Sequence, residues 1–328
     1  MKFELPDSVK LAQLPTPIQK LERLSRRLEG PEIYIKRDDF TGLELSGNKV
    51  RKLEFLLAEA LNQQCDSVIT CGGNQSNHAR TTAIACARLG LSTHLVLRDG
   101  MTKPLEGNLF LGRLVGAEIE SVTSDEYLRV DEIMQAAADK LKSAGHTPFI
   151  IPEGGSNDTG ALGYVRAAEE ISKQLRESKL RIDHIVVPVG SGGTHAGLLF
   201  GKFIYDLPAQ IHGINVCDDK AYFMGRISKI LQKMEQRFKL NLQLDTQEIN
   251  IIDGYVGKGY GLSSQEEIDL LKDIARMEGV ILDPVYTSKA MLGLVDQIRK
   301  GAFKEGENIL FIHTGGIFGL FPKKALFF

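Results

Sequence analysis

The chain has 328 residues, 43% hydrophobic and 25% charged, with 40 basic against 42 acidic side chains and a formal charge of −2. That composition is globular rather than disordered, and the length suffices for two domains sharing an interface. The near balance of charge excludes a global field that would draw the protein to nucleic acid or to an anionic membrane, and favours a small neutral or zwitterionic ligand.

The amino terminus, MKFELPDSVKLAQLPTPIQK, has no apolar stretch behind a basic start, and no run reaches the ~18 apolar residues of a helical membrane span. A soluble cytoplasmic protein is the expectation. The first β-branched run, EIYIK at 32–36, leads to SGNKVRKLEF, where Lys49, Arg51 and Lys52 crowd the first turn of an amphipathic helix. Its apolar stripe is Val50, Leu53, Leu56, Leu57, Ala60 and Leu61. The helix dipole disfavours each cation there by about 0.3–1 kcal/mol, so either the cost is tolerated at a solvated surface or one lysine is wanted at that spot. Arg51 and Lys52 are expected to be solvated or paired with Asp38, Glu54 or Glu59.

Further along, SVITC (67–71), THLVLR (93–98), AEIESV (117–122), PFIIP (148–152), HIVVPV (184–189), IHGINV (211–216), ILDPV (281–285) and NILFIHT (308–314) read as strands. Helical spacing fills the gaps, as in HARTTAIACARLG (78–90) and ALGYVRAAEEISKQL (161–175). This alternation predicts an α/β fold of open, mainly parallel sheets flanked by helices, with ligands at the carboxyl ends of the strands. Glycine clusters close two of the strands, CGGNQSNHAR at 71–80 and VGSGGTHAG at 189–197. A small α/β domain at 53–161, inserted into a large one made of 1–52 and 162–328, would let the two clusters face one cleft. In SSQEEIDLLKD, Glu266, Glu267 and Asp269 read as a solvated helix face. Cys65, Cys71, Cys86 and Cys217 show no C-x-x-C spacing, read as buried small apolar side chains, and predict neither a disulfide nor a metal site.

The strongest phosphate signal is HIVVPVGSGGTHAGLLFGKF, in which a strand runs through Gly190, Ser191, Gly192, Gly193 and Thr194 into a helix. Inward-turned N–H groups and a helix N-terminus hold a phosphate there. The loop lacks a Walker lysine, and His195 stands where the third glycine of a dinucleotide fingerprint would fall, so a singly phosphorylated ligand fits best. A lysine at a helix start plus a single-phosphate site points to pyridoxal phosphate, with Lys49 as the Schiff-base lysine. The dipole lowers its pKa toward the reactive amine.

Six blocks, IKRDDFTGLELSGNKVRKLEFLLAEAL, CGGNQSNHARTTA, PEGGSNDTGALGYVRAAEEI, VPVGSGGTHAGL, ILDPVYTSKAMLGL and ILFIHTGGIFGLF, together resemble the aminocyclopropane-carboxylate deaminase and D-cysteine desulfhydrase family, from about Pro15 to Phe321. The resemblance implies a fold type II pyridoxal-phosphate enzyme, similar in architecture to the tryptophan synthase β subunit, acting as a homodimer on a small amino acid. It implies that Gly190 to Thr194 hold the phosphate, that Asn77 bonds the ring oxygen, and that Ser76 meets the substrate carboxylate. Tyr286 and Tyr260 would face the reacting carbon from either side, and Thr314, with Thr287, would meet the ring nitrogen. Ser76 and Asn77 also suit helix capping. His78 is placed with the substrate contacts, although His78, His195 and His313 read most simply as structural.

In the deaminase branch of that family, glutamate follows the tyrosine and leucine follows the late histidine; here Thr287 and Thr314 stand in those places. A hydroxyl cannot keep a pyridine nitrogen protonated, whereas ring opening of a cyclopropane needs a strong electron sink. The expectation is therefore α,β-elimination from D-cysteine, with aminocyclopropane-carboxylate deamination or elimination from another β-substituted alanine as the alternative. A nicotinamide oxidoreductase, which the β/α alternation alone would allow, lacks the third glycine. A noncatalytic amino-acid sensor would have no use for an intact lysine, serine and tyrosine pair.

Overall fold

Continuous apolar runs such as HIVVPV are buried on both faces in the computed structural model, which describes residues 3–99, 104–240, 242 and 246–328. In chain order the elements are β1 (Ile18–Lys20), α1 (Glu22–Leu28), β2 (Glu32–Lys36), α2 (Asn48–Asn62), β3 (Ser67–Gly73), α3 (Asn77–Leu89), β4 (Ser92–Arg98), α4 (Gly107–Leu114), β5 (Glu118–Val122), α5 (Ser124–Tyr127) and α6 (Val130–Ser143). There follow β6 (Pro148–Ile150), α7 (Asp158–Ser178), β7 (His184–Val189), α8 (Gly193–Ile204), β8 (Gln210–Asn215), α9 (Lys220–Phe238), β9 (Asn250–Ile252), α10 (Gln265–Glu278), α11 (Thr287–Arg299) and β10 (Asn308–Ile312).

The strands form two sheets, one ordered β1-β2-β10-β7-β8-β9 and the other β5-β4-β3-β6. Among the described residues only the edge pair β1–β2 is antiparallel. In the larger sheet β8 and β9 extend to one side of β7 while the chain returns to lay β10 on the other side. In the smaller sheet β4 and β5 lie to one side of β3, and β6 to the other. Each reversal opens a crevice at the carboxyl ends of its strands, where α/β proteins hold ligands. The glycine clusters that follow β3 and β7 sit at these two crevices. One core packs α7, α8 and α9 on the larger sheet and a second packs α1, α10 and α11 on its other face.

Helix α2 departs from the expected surface helix. It is buried nearly all round, with Leu61 at its far end 37% exposed. Arg51 takes the paired alternative: its guanidinium donates to Asp38 at 2.8 Å, one of the expected partners, and also to Glu170 at 3.0 Å, and Tyr164 Oη donates to Asp38 at 2.5 Å. Burial opposes the Asp38 charge, and the Arg51 guanidinium outweighs it and holds the carboxyl below its usual range. Lys52 is not solvated either, and it has no carboxylate partner of the kind expected; its amine turns to Gly154 O and Ser156 Oγ.

Three further expectations are corrected. ILDPV is not a strand, because Pro284 lacks an N–H and the Asp283 carboxylate accepts from the backbone N–H of Val285, Tyr286 and Thr287, bending the chain into the start of α11. Glu267 is buried, not solvated, closing a capping box with Ser264 at the start of α10, while Glu266 and Asp269 are exposed. Among the cysteines Cys65, Cys71 and Cys86 are buried, but Cys217 is only partly so. No helix among the described residues is long and apolar enough to cross a membrane.

Candidate active site

A cavity of about 510 Å³ lies where the two crevices meet, lined from the smaller sheet by Gly72, Ser76 and Asn77 and from the larger by Gly190, Ser191 and Thr314. Its floor is the N-terminus of α8. A side chain at Gly193 would put its Cβ 2.7 Å from Ser156 Oγ and 2.9 Å from Lys52 Nζ, so only glycine leaves that space open. Ser156 Oγ lies 2.8 Å from Ser191 Oγ and accepts from Gly193 N at 3.3 Å, while Asn48 Nδ2 donates to Thr194 Oγ1 at 3.0 Å. Lys52 Nζ donates to Ser156 Oγ at 3.0 Å and to Gly154 O at 3.2 Å.

Burial pushes the Lys52 amine well down, and the neighbouring charges that act on it, Lys49 and Arg226, are cations that push it further. A buried cation among cations, beside inward-facing N–H groups at a helix start, is an arrangement an anion stabilises. The cradle therefore fits the phosphate of a cofactor. Sequence reasoning missed Lys52, although its spacing of three from Lys49 puts both on one helix face.

Lys49 projects from the same helix start into the cavity. Gly47, the residue before α2, has φ +108°, and any Cβ there would strike Thr314 O at 2.7 Å. Glycine thus lets the 46–48 turn close on the turn after β10, where Asn48 N donates to Thr314 O at 3.1 Å. Burial lowers the Lys49 pKa to about 8, opposed by the Glu153 carboxylate and assisted by Arg226. A fraction of the amine is then unprotonated near neutral pH, as a nucleophile or base requires.

Across the cavity, Tyr260 Oη and Tyr286 Oη are 2.6 Å apart, with the rings edge to face. Desolvation of the paired hydroxyl ends raises both phenols, Tyr260, 36% exposed as a whole residue, to about 12 and Tyr286 well above its usual value, so both keep their protons. Ser76 does what a cap does, accepting from Ala79 N at 3.1 Å, and also faces the cavity. Asn77 Oδ1 accepts from Asn108 Nδ2 at 2.9 Å, which leaves its own amide N–H groups for the cavity.

His78 lines the cavity as well. Thr70 Oγ1 spends its proton on Ile151 O at 2.8 Å, so it accepts from His78 Nε2 at 2.9 Å and leaves Nδ1 an unpartnered acceptor. Burial, then Lys49 and Lys52, keep this imidazole neutral. His313 is structural: Nε2 donates to Ile281 O and Nδ1 accepts from Gly315 N. His195 is fully buried with neither ring nitrogen partnered, and burial lowers its pKa to about 3.

Thr314 lines the cavity, but Thr287 does not. The Thr287 hydroxyl donates to Asp283 Oδ1 at 2.7 Å behind the wall. The structure adds residues that the sequence did not single out. Glu153 lines the cavity and accepts from Tyr127 Oη at 2.7 Å, and the Arg98 guanidinium lies 5.3 Å from the rings of both Tyr127 and Tyr260. Among the described residues no group of three or more His, Cys, Asp or Glu side chains is placed to hold a metal ion.

The family model for pyridoxal-phosphate dependent enzymes matches residues 9–315. The chain belongs to that family. Within it, the chain is 46% identical over 323 residues to the bifunctional D-cysteine desulfhydrase/1-aminocyclopropane-1-carboxylate deaminase, mitochondrial, of Arabidopsis thaliana, covering 95% of this chain and 79% of the relative. It is 41% identical over 318 residues to a D-cysteine desulfhydrase of Klebsiella pneumoniae, covering 95% of each. A crystal structure described as an ACC deaminase homologue superposes with a TM-score of 0.89 at 39% identity, covering 98% of this chain and 95% of that one. The protein is thus a pyridoxal-phosphate enzyme of the aminocyclopropane-carboxylate deaminase and D-cysteine desulfhydrase group, with the fold type II architecture, and pyridoxal phosphate is its cofactor.

Proposed function

We propose that this enzyme eliminates thiolate from D-cysteine, giving hydrogen sulfide, pyruvate and ammonia with the uptake of water. When bound, pyridoxal phosphate supplies a carbon to which amino groups attach and a ring that withdraws electrons from the α-carbon. Gly190 to Thr194, Lys52 and Ser156 would hold its phosphate, Asn77 its ring oxygen, Thr314 its ring nitrogen and Lys49 its aldehyde carbon. The Lys49 amine, near pKa 8, is suited to take the α-proton of the substrate. The N-terminus of α3, with the Ser76 hydroxyl beside it, receives the substrate carboxylate, where N–H groups and the helix dipole favour an anion. One hydroxyl of the Tyr260–Tyr286 pair donates to the other, which leaves one proton to aim at the departing sulfur.

The observation that carries elimination over ring opening concerns carboxylates. Thr314 lines the cavity at the turn after β10, and the buried Asp283 spends both oxygens on the 285–287 backbone and the Thr287 hydroxyl. No acid at these positions is free to protonate a ring nitrogen, and a sulfur leaving group that carries its own charge needs less from the ring. The Arabidopsis relative, whose name joins both activities, favours aminocyclopropane-carboxylate deamination as the second reading. Quantifying sulfide and α-keto acid from D-cysteine, L-cysteine, β-chloro-D-alanine and aminocyclopropane-carboxylate tests the choice; 2-oxobutyrate from the cyclopropane with no sulfide from D-cysteine overturns it.

The two separate sheets support a small domain at 53–161 set into a large one formed by 1–52 and 162–328. A cytoplasmic homodimer belongs to the same reading, on the family resemblance alone.

A further inference from the structure

Tyr260 reaches the cavity on a strap, residues 253–263, that has neither helix nor strand and carries positive φ at Gly254, Gly257, Gly259 and Gly261. Such a segment loses much backbone entropy when ordered, so something must hold it. At its start Gln297 Nε2 donates to Tyr255 Oη at 2.7 Å, and at its end Ser263 Oγ donates to Pro284 O at 2.9 Å. Between them the fixing group is an ammonium. Lys289, fully buried in the first turn of α11, donates from Nζ to Val256 O at 2.5 Å and to Gly259 O at 2.9 Å. Lys323 Nζ donates to Gly261 O.

The Glu267 carboxylate faces the same spot: a Cβ on Gly257 would lie 2.6 Å from Glu267 Oε1 and 3.8 Å from Lys289 Nζ. Glu267 Oε2 accepts from Ser264 N, and the carboxylate stands beyond direct ion-pair distance of Lys289, acting on it through space. Burial lowers the Lys289 pKa, and Glu267 opposes that shift. Backbone carbonyl oxygens with one carboxylate beside them are the hard oxygen donors that an alkali or ammonium ion takes; here a side chain supplies the cation covalently.

We propose that Val256 O and Gly259 O, with the Glu267 carboxylate nearby in the shell beyond them, form a monovalent-cation site filled by the tethered ammonium of Lys289, and that this occupancy positions Tyr260. Removing the lysine side chain then creates an enzyme that depends on free potassium, ammonium or methylammonium. Lys289 is a positioning residue, since it acts through Tyr260. The effect on turnover rests on the proposed role of Tyr260, whereas the site itself does not.

The test compares wild type, Lys289→Ala and Lys289→Met as holoenzymes, by hydrogen exchange of the 256–262 amides and by turnover of D-cysteine, in choline chloride against potassium, ammonium or methylammonium chloride. Loss of two charge-assisted bonds predicts at least about tenfold faster exchange for Lys289→Ala in choline. A displaced Tyr260 predicts a fall in kcat of about 10- to 100-fold with a smaller change in KM. Small cations restore both in Lys289→Ala, leave wild type unchanged, and do not rescue Lys289→Met, whose side chain fills the space. Exchange in Lys289→Ala that matches wild type in choline, or that is faster but indifferent to every cation, overturns the site. If Lys289→Ala does not fold, exchange of the 256–262 amides in Lys289→Met decides, and exchange matching wild type there overturns the site as well. Rescued exchange with no rescue of turnover keeps the site and removes Tyr260 from the reaction.

Discussion

Replacing Lys52 by methionine separates an anion-binding lysine from a stabilising one, because the two roles predict opposite outcomes. The Lys52 amine sits 2.9 Å from the position a Gly193 Cβ would occupy, at the mouth of α8. Methionine keeps the length and apolar stem and removes the charge. With the cofactor phosphate present, losing one partner of a buried hydrogen-bonded charge pair costs about 2–5 kcal/mol, which is about 30-fold to several thousand-fold in affinity. Without cofactor the substitution loses the bonds to Gly154 O and Ser156 Oγ, worth about 1.5–3 kcal/mol each. It also relieves the burial of an ion with cations for neighbours, several kcal/mol in the other direction, so the apoprotein is not weakened in proportion. The assay is titration of apoprotein with pyridoxal phosphate followed by visible absorption, with urea unfolding of the apoprotein in parallel. Unphosphorylated pyridoxal is the control and should bind both forms alike. Affinity for pyridoxal phosphate within about threefold of wild type, or an apoprotein destabilised by as much as binding is weakened, refutes the reasoning.

Asp38→Asn removes the acid of the buried pair with Arg51 and should cost about 3–5 kcal/mol in urea unfolding; because the folded Asp38 carboxyl titrates below its usual 3.8, its contribution is present above that pH and lost in wild type as pH falls through the folded value, a dependence the variant lacks. Lys49 titrates lower in the folded chain, about 8 against 10.5, so the folded chain binds fewer protons and apoprotein stability rises with pH through that window, by about 3 kcal/mol in all. Urea midpoints of wild type and Lys49→Met across it should converge at the alkaline end, and parallel curves would contradict the shift. The double change Thr287→Glu and Thr314→Leu sets a second acid against Asp283 and removes the cavity hydroxyl; desulfhydrase turnover should fall at least about tenfold, and retained turnover would end the electron-sink argument.

What was legible in the sequence was local. HIVVPVGSGGTHAG announces its strand, its glycine turn and the helix that follows within one segment, and SGNK places a lysine at a helix start. What was not legible depends on partners far along the chain. The Asp38 partner of Arg51 was within reach of the sequence, but Glu170 and Ser156 come to Arg51 and Lys52 only when α7 and the turn before it close over α2. ILDPV carries strand-forming residues, but the Asp283 side chain competes for the backbone N–H groups that a sheet would need. The edge strands β1 and β9 span only Ile18–Lys20 and Asn250–Ile252, too short to show a period. Thr287 is placed with the cofactor by the family resemblance, because it stands where the deaminase branch has a glutamate, yet its hydroxyl faces Asp283. Glu153, Tyr127 and Arg98 meet only because the end of β4 and the turn after β6 open onto the same cavity.

The most direct test of the central claim is to reduce the holoenzyme with borohydride, digest it, and locate the pyridoxyl group by peptide mass spectrometry. The added mass is expected on Lys49, with Lys52 unmodified. Finding it on Lys52, on any other lysine, or on no peptide at all would contradict that assignment.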